Sequence, residues 1–328
     1  MWQKIINIIN NHTRFIITAH VNLDGDAIGS ELALAEHLDN LGKDVTIINN
    51  DITPSNYHFL DPKTIINTYS PSEHDSIIHQ AEVIISVDVS GGWERIGSPS
   101  EAFRQSKTIK VGIDHHTTPP TFADIVVTVT TVVAAAELIY DLLVTMNCTF
   151  SQTIAQAIYV GIMTDSGGFR FPPTNAHTHQ TVAKLLAMGV DPYYVYHQIY
   201  NQHSLQRLLL KGHLITCIKT AMNGQIAYYT IDKQTMRNYG VTRSELGGFT
   251  NLGSEVKGVR VNIFLMETGE NEVKIGLRSD GTIRVDKIAN SYGGGGHPSA
   301  AGATVKGELN EVMSDVIEKV KHILKSQK

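Results

Sequence analysis

Near the start of the chain His20, Asp24 and Asp26 fall close together in HVNLDGD. Asp88 directly follows the apolar run VIISV, and the consecutive Asp114, His115 and His116 directly follow IKVGI. Asp165 closes another apolar stretch, in GIMTDSGGFR. Carboxylate and imidazole donors without a thiolate suit Mn²⁺, Fe²⁺, Co²⁺ or Zn²⁺. Mn²⁺ is the first choice, with Mg²⁺, Co²⁺ or Zn²⁺ as alternatives. His20, Asp24, Asp26, Asp88, His115 and Asp165 are enough donors for two divalent cations sharing a bridging carboxylate. Two such ions would neutralise the four carboxylates, which otherwise repel one another. A pair of ions about 3.5–4 Å apart can generate a hydroxide and steady both the attacking and leaving oxygens of a phosphoryl transfer.

Taken singly, each residue has an ordinary reading. Asp26 could cap a helix beginning at Ala27, Asp24-Gly25 is a good turn dipeptide, and His20 could be a satisfied core histidine. Neighbours on an extended chain point to opposite sides, so His115 and His116 are not expected to be equivalent ligands. What favours metal is the conjunction of H-x-x-x-D-x-D, a strand-terminal Asp and a strand-terminal D-H-H.

The elements that must carry these residues alternate short apolar runs with helical patterns, which is the signature of a parallel α/β fold. Strands are expected at 14–19, 45–49, 83–87 and 109–113, and helices at 27–41, 131–144 and 152–164. A further helix capped by Thr174 is expected to run to Met188. Three of the motifs then follow strands directly, at the sheet edge where open α/β folds bind ligands. Residues 193–212 read as one linker helix. Beyond it, alternating strands near 225–230, 259–266 and 272–278 and an amphipathic helix over 309–324 indicate a smaller α+β unit. The expected division is therefore 1–192, a linker at 193–212, and 213–328.

Composition narrows the class. The 328 residues suggest two domains, and 42% hydrophobic with 18% charged residues excludes a disordered chain. Only two cysteines are present, which fits a reducing compartment. No run is apolar enough for a membrane span. Asn7 and Asn10 interrupt the N-terminal apolar stretch, so no signal peptide is expected and a cytoplasmic location is the default. The net charge of −5 argues against long nucleic acid as a partner. There are 12 Lys and Arg against 20 Asp and Glu up to residue 212, and 15 against 12 beyond it.

In the second half, Gly293–Gly296 exposes backbone N–H groups that can cradle a phosphate or a base, although such a run can also be a flexible hinge. His297 adds a potential cation beside Gly294, Gly295 and Gly296. Arg278 and Ser279 end a strand, with a planar fork and a hydroxyl suited to phosphate. Arg260 and Arg284 are weaker candidates. Arg95, in GGWERIG, could meet phosphate near the metals or form an ordinary ion pair.

These motifs, in this order, resemble the DHH phosphoesterase superfamily, and GGGGHPSAAG resembles the signature of its associated C-terminal domain. Length and domain order are similar to the nanoRNase/pAp phosphatase group. The resemblance implies a di-Mn²⁺ site in a cleft between two domains. In it His20, Asp24 and Asp88 would hold one ion, and Asp26, Asp88, His115 and Asp165 the other. His116 would face the scissile phosphate, Asp114 would orient the histidines, and Arg278, Ser279, the glycine run and His297 would grip the substrate's terminal phosphate or base. The implied reactions are hydrolysis of short oligoribonucleotides to mononucleotides and of 3′-phosphoadenosine 5′-phosphate (pAp) to AMP and phosphate, by hydroxide attack.

Alternatives are hydrolysis of the linear dinucleotide pApA, an inorganic pyrophosphatase, and a non-catalytic nucleotide sensor. No membrane partner is expected, and a homodimer is the default assembly. Two departures stand out: Leu23 where the family usually has proline, and the paired Pro119-Pro120 after the D-H-H triplet.

Overall fold

A computed structural model of the chain describes residues 1–326 and divides it into two compact units, Met1–Gln202 and the remainder from His203. The first unit begins with helix α1 (Gln3–Asn11), strand β1 (Arg14–Thr18), α2 (Gly25–Asn40), β2 (Asp44–Asn49), β3 (Ile66–Thr68) and α3 (Pro71–Gln80). It continues with β4 (Val83–Val87), α4 (Ser100–Gln105), β5 (Ile109–Asp114), β6 (Ile125–Thr128), α5 (Ala135–Thr145), α6 (Gln152–Asp165), α7 (Ala176–Ala187) and α8 (Pro192–Tyr200).

The six strands form one parallel sheet in the order β3-β2-β1-β4-β5-β6. Both faces are covered, which is why the strands read as continuous apolar runs. Phe15 and Ile17 of β1 join the core formed with α2, α5 and α6. Ile16, between them, faces a smaller core with Ile78 of α3 and Phe103 of α4. The strand order reverses between β1 and β4, so the chain leaves these neighbours toward opposite ends of the sheet and opens a crevice at their carboxyl ends.

Helices α2 and α6 approach closely because small residues meet at the crossing. A Cβ on Gly29 would collide with the Ala157 carbonyl oxygen, and one on Gly161 would sit 2.5 Å from the Ala136 Cβ and 2.9 Å from Asp26 Oδ1. This crossing sets the separation of Asp26 on α2 from Asp165 on α6.

The second unit comprises α9 (Leu205–Thr216), β7 (Lys219–Ala221), β8 (Ile226–Ile231), α10 (Lys233–Tyr239), β9 (Val261–Gly269) and β10 (Glu272–Ser279). These are followed by α11 (Val285–Asn290), β11 (Gly295–His297), β12 (Ala300–Lys306) and α12 (Leu309–Ser326). Its mixed sheet has the order β11-β12-β10-β9-β8-β7, with only β8 and β9 parallel. Helix α12 buries Val312, Val316, Ile317, Val320 and Leu324 on one face, the stripe expected of its periodicity.

Three expectations need correction. The single linker helix over 193–212 is two helices: α8 ends at Tyr200, and Ser204 caps α9 by accepting from the Arg207 amide. The cap of α7 is Asn175 rather than Thr174, since the Asn175 carboxamide accepts from the His177 and Thr178 amides. Part of the glycine run is a strand, not an open loop, because Gly295–His297 pairs with β12. Gly294 and Gly296 lie where a Cβ would strike the carbonyl oxygens of Gly302 and Ala300 respectively. No helix among the described residues is long and apolar enough to cross a membrane.

Overpacking a close helix crossing costs about 1–3 kcal/mol. Gly29→Ala is therefore expected to lower the melting temperature by several degrees in a calorimetric scan. An unchanged midpoint would show that the crossing tolerates a methyl group.

Candidate metal centre

The strand ends at the switch point deliver the acidic and imidazole groups to one place. His20 follows β1, Asp24 and Asp26 open α2, Asp88 follows β4, and β5 ends on Asp114 just before His115 and His116. His20 Nε2 lies 3.6 Å from Asp24 Oδ2 and 3.3 Å from Asp88 Oδ2. His115 Nε2 lies 3.4 Å from the other Asp88 oxygen, 3.3 Å from Asp165 Oδ2 and 3.8 Å from Asp26 Oδ2. Asp88 thus faces two donor sets, His20 with Asp24 and Asp26 with His115 and Asp165. His116 Nδ1 lies 2.7 Å from Asp114 Oδ1 and 3.5 Å from Asp88 Oδ1.

Local structure positions several of these side chains. Asp24 divides its oxygens: Oδ1 caps α2 by accepting from the Asp26 and Ala27 amides, while Oδ2 faces His20. The capping role considered for Asp26 belongs to Asp24, because α2 begins at Gly25. Asp26 instead caps a distant helix, accepting from Ala135 N at 2.6 Å and Ala136 N at 2.8 Å at the start of α5. A helix N-terminus favours that negative charge. His20 Nδ1 is held 2.8 Å from the Val21 carbonyl oxygen, which turns Nε2 toward the carboxylates. Asp88 adopts the left-handed region with φ 57°, a conformation that aspartate tolerates better than most residues.

His115 and His116 do not diverge as extended neighbours would. Strand β5 stops at Asp114, so the alternation ends there, and the two rings are 4.6 Å apart at the same site.

Electrostatics define what the cluster lacks. Burial and the neighbouring carboxylates push Asp26 well above the usual carboxylate range, and burial chiefly pushes Asp165 up to about 7. Asp88 is driven below the usual range: burial opposes its charge, but the attraction of the flanking His115 and His20 outweighs it. Burial resists protonation of the histidines, yet Asp88 overcomes it at His115, raised to about 10. Asp24 and Asp88 together do the same at His20. Asp88 Oδ1 is buried without a hydrogen-bond partner. An acceptor stranded among oxygen and nitrogen donors is what a cation would satisfy, so the residues fit two divalent ions.

Several contributors were not read from the sequence. The buried Glu31 and Asn49 brace the end of β1. Asn49 Nδ2 donates to Glu31, and Asn49 Oδ1 accepts from the Ala19 amide, one residue before His20. Burial pushes Glu31 up to about 8. The signal was a polar residue closing the apolar run TIIN. Leu23, in place of the usual proline, is buried in the main core, and the adjacent Asn22 amide donates to Asp51. Pro120 is buried over Gly112 of β5.

Arg95 forms no ion pair among the described residues. Its Nε is buried without a partner, and its carbonyl accepts from Val21, next to His20.

In the second unit, Arg278 donates to Asn251 Oδ1 and to the Leu277 carbonyl. Ser279 Oγ donates to the Ile283 carbonyl, Arg260 donates to Thr282, and Arg284 pairs with Asp286. His297 is exposed on β11.

Residues 14–162 match the model of the DHH family, N-terminal domain, and residues 223–326 that of the DHHA1 domain. The crystal structure of an exopolyphosphatase-related protein from Bacteroides fragilis superposes with a TM-score of 0.93 at 30% identity. It covers 98% of this chain and 96% of that one. The chain belongs to the DHH family. Among curated DHH relatives, the bifunctional oligoribonuclease and PAP phosphatase NrnA of Thermus thermophilus is 29% identical, over 94% of this chain and 89% of that protein. The Bacillus subtilis protein of the same name is 27% identical, over 96% of this chain and 97% of its own length.

The pKa shifts set a pH dependence. His115 is raised from 6.5 to about 10, so it contributes stability that is full below 6.5 and lost as pH rises through 10. Asp165 is raised from 3.8 to about 7, so its ionisation removes stability across that interval. Both signs agree. Chelator-treated protein is expected to melt at falling temperature between pH 5 and 9.5, and saturating Mn²⁺ to flatten the slope as it displaces those protons. Calorimetric scans across that range check this, and a flat profile in chelator would refute it.

Proposed function

We propose that the chain is a two-metal phosphoesterase that hydrolyses short oligoribonucleotides to mononucleotides and pAp to AMP and phosphate, with Mn²⁺ as the working ion. The observation that carries this reading is the Asp88 carboxylate, one oxygen toward His20 and the other toward His115. The substrate class comes from near-full-length relatives named as oligoribonucleases and PAP phosphatases.

His20, Asp24 and Asp88 would hold one ion, and Asp26, Asp88, His115 and Asp165 the second. When bound, such ions polarise a phosphoryl oxygen and lower the pKa of water. Asp114 holds the His116 ring at Nδ1, so a ring carrying both protons would donate from Nε2 to a phosphoryl oxygen as charge gathers there. Arg95, held beside His20 and without an acidic partner among the described residues, supplies a fork for a second phosphate oxygen. In the second unit Arg278, Ser279, Gly294, Gly295, Gly296 and His297 form the proposed grip on the terminal phosphate or base, with Arg260 a lesser contributor. Small anionic substrates suit this short basic set, and we place the protein in the cytoplasm.

Chromatography of products separates the alternatives. Metal-stripped protein is incubated with and without Mn²⁺ against pApA, pAp, an RNA pentamer and pyrophosphate. The expected result is Mn²⁺-dependent AMP from the nucleotides, abolished by Asp88→Ala. His116→Ala should lower kcat by about 10²–10⁴-fold with Mn²⁺ content unchanged. Phosphate from pyrophosphate alone, or no turnover with metal bound, would overturn the reading.

A further inference from the structure

The segment just after Asp165 takes no part in the metal centre, yet its backbone is strained. Gly167, Gly168 and Phe169 have φ of 60°, 72° and 67°, three consecutive residues in the left-handed region. For a bulky aromatic residue that is an outlier, sustained only when its surroundings impose it.

Here Ser166 imposes it. Its hydroxyl accepts from the Phe169 amide at 2.9 Å, and its carbonyl accepts from the Arg170 and Phe171 amides. The Phe169 ring turns inward, 6.4 Å from Tyr159 and 5.5 Å from His179. The contortion therefore throws the next two side chains outward.

Phe171 is 44% exposed, with its ring laid against Gly167, two residues from Asp165. A Cβ on that glycine would sit 2.5 Å from the ring's Cζ. Arg170 is exposed, with its guanidinium 5.7 Å from the Phe171 ring centroid, and it makes no ion pair among the described residues. Phe171 and Arg170 thus stand exposed side by side, the ring against the residue two positions from Asp165.

We propose that Phe171 and Arg170 form a nucleoside subsite, in which a base beside the scissile phosphate stacks on the Phe171 ring and Arg170 pairs with a backbone phosphate oxygen. The proposal deepens the phosphoesterase reading and rests on it for the identity of the substrate.

The test compares pApA with an analogue lacking the second base, for wild type, Phe171→Ala, Phe171→Tyr, Arg170→Ala and Arg170→Lys. Phe171→Ala should raise KM for pApA about tenfold with kcat within twofold. It should leave KM for the abasic analogue unchanged, and Phe171→Tyr should restore wild-type behaviour. Arg170→Ala should raise KM for both substrates and flatten its salt dependence, with partial rescue by Arg170→Lys.

An equal loss on both substrates in Phe171→Ala, or no change in KM, would overturn the proposal, the former by revealing a structural role. Calorimetric binding of a non-hydrolysable methylene-bridged pApA separates the two readings. If wild type turns over nothing but Phe171→Ala selectively weakens binding of this analogue, the subsite stands and the phosphoesterase reading falls.

Discussion

The Asp88 carboxylate is buried to within 3% of full exclusion, and the rest of the first unit is arranged around the charge it keeps. A lone buried carboxylate would give up its charge to a proton, because desolvation penalises the ion. Here His20 and His115 approach from either side, at 3.3 and 3.4 Å, and hold the proton off. The remedy brings its own difficulty. Each histidine also faces a second carboxylate, Asp24 or Asp165, so attraction at Asp88 is bought with repulsion among the acids.

Such a cluster survives only where its parts cannot drift apart. The parallel sheet supplies that rigidity, because β1, β4 and β5 lie side by side with both faces covered, and three of the motifs hang directly from their ends. The fourth arrives on a helix. Gly29 and Gly161 let α2 and α6 approach until Asp26 and Asp165 both face His115. Side chains deeper in the sheet secure the strand ends themselves: Asn49 ties the amide before His20 to the buried Glu31. The candidate ligands therefore stand within a few residues of the ends of rigid strands and helices.

Much of this could be read before any coordinates. Buried parallel strands must be apolar throughout, so β1, β4 and β5 announced themselves, and the acids that followed them had to share an edge. What was lost was lost for physical reasons. Strand β3 has only three residues, two half-buried and one exposed, and β6 is partly exposed, so neither shows a continuous buried run. The alternation rule failed for His115 and His116 because the strand ends at Asp114, before either histidine. The glycine run looked like a loop because glycine has no side chain to show a strand's period. Its true constraint, close approach to the β12 backbone, is invisible without the partner strand. Asp26 was recognisable as a candidate ligand but not as the cap of α5, an interaction that spans more than a hundred residues. Arg170 ends GIMTDSGGFR and Phe171 follows it, and residue type alone does not show that both side chains are exposed.

The same groups that would bind cations also bind protons, and this unites the folding and chemistry of the site. Without cations the balancing positive charge must come from protonated His20 and His115, and Asp165 holds its own proton to about pH 7. A metal ligand must be a neutral imidazole or an ionised carboxylate, so an arriving ion displaces protons from positions already in place. The geometry need not be rebuilt, because Asp24 and Asp26 are held by helix amides, at Oδ1 in Asp24 and at both oxygens in Asp26, and His20 by the Val21 carbonyl. Proton and ion are alternative solutions to one electrostatic constraint. The backbone hydrogen bonds, rather than the bound charge, decide where the ligands stand.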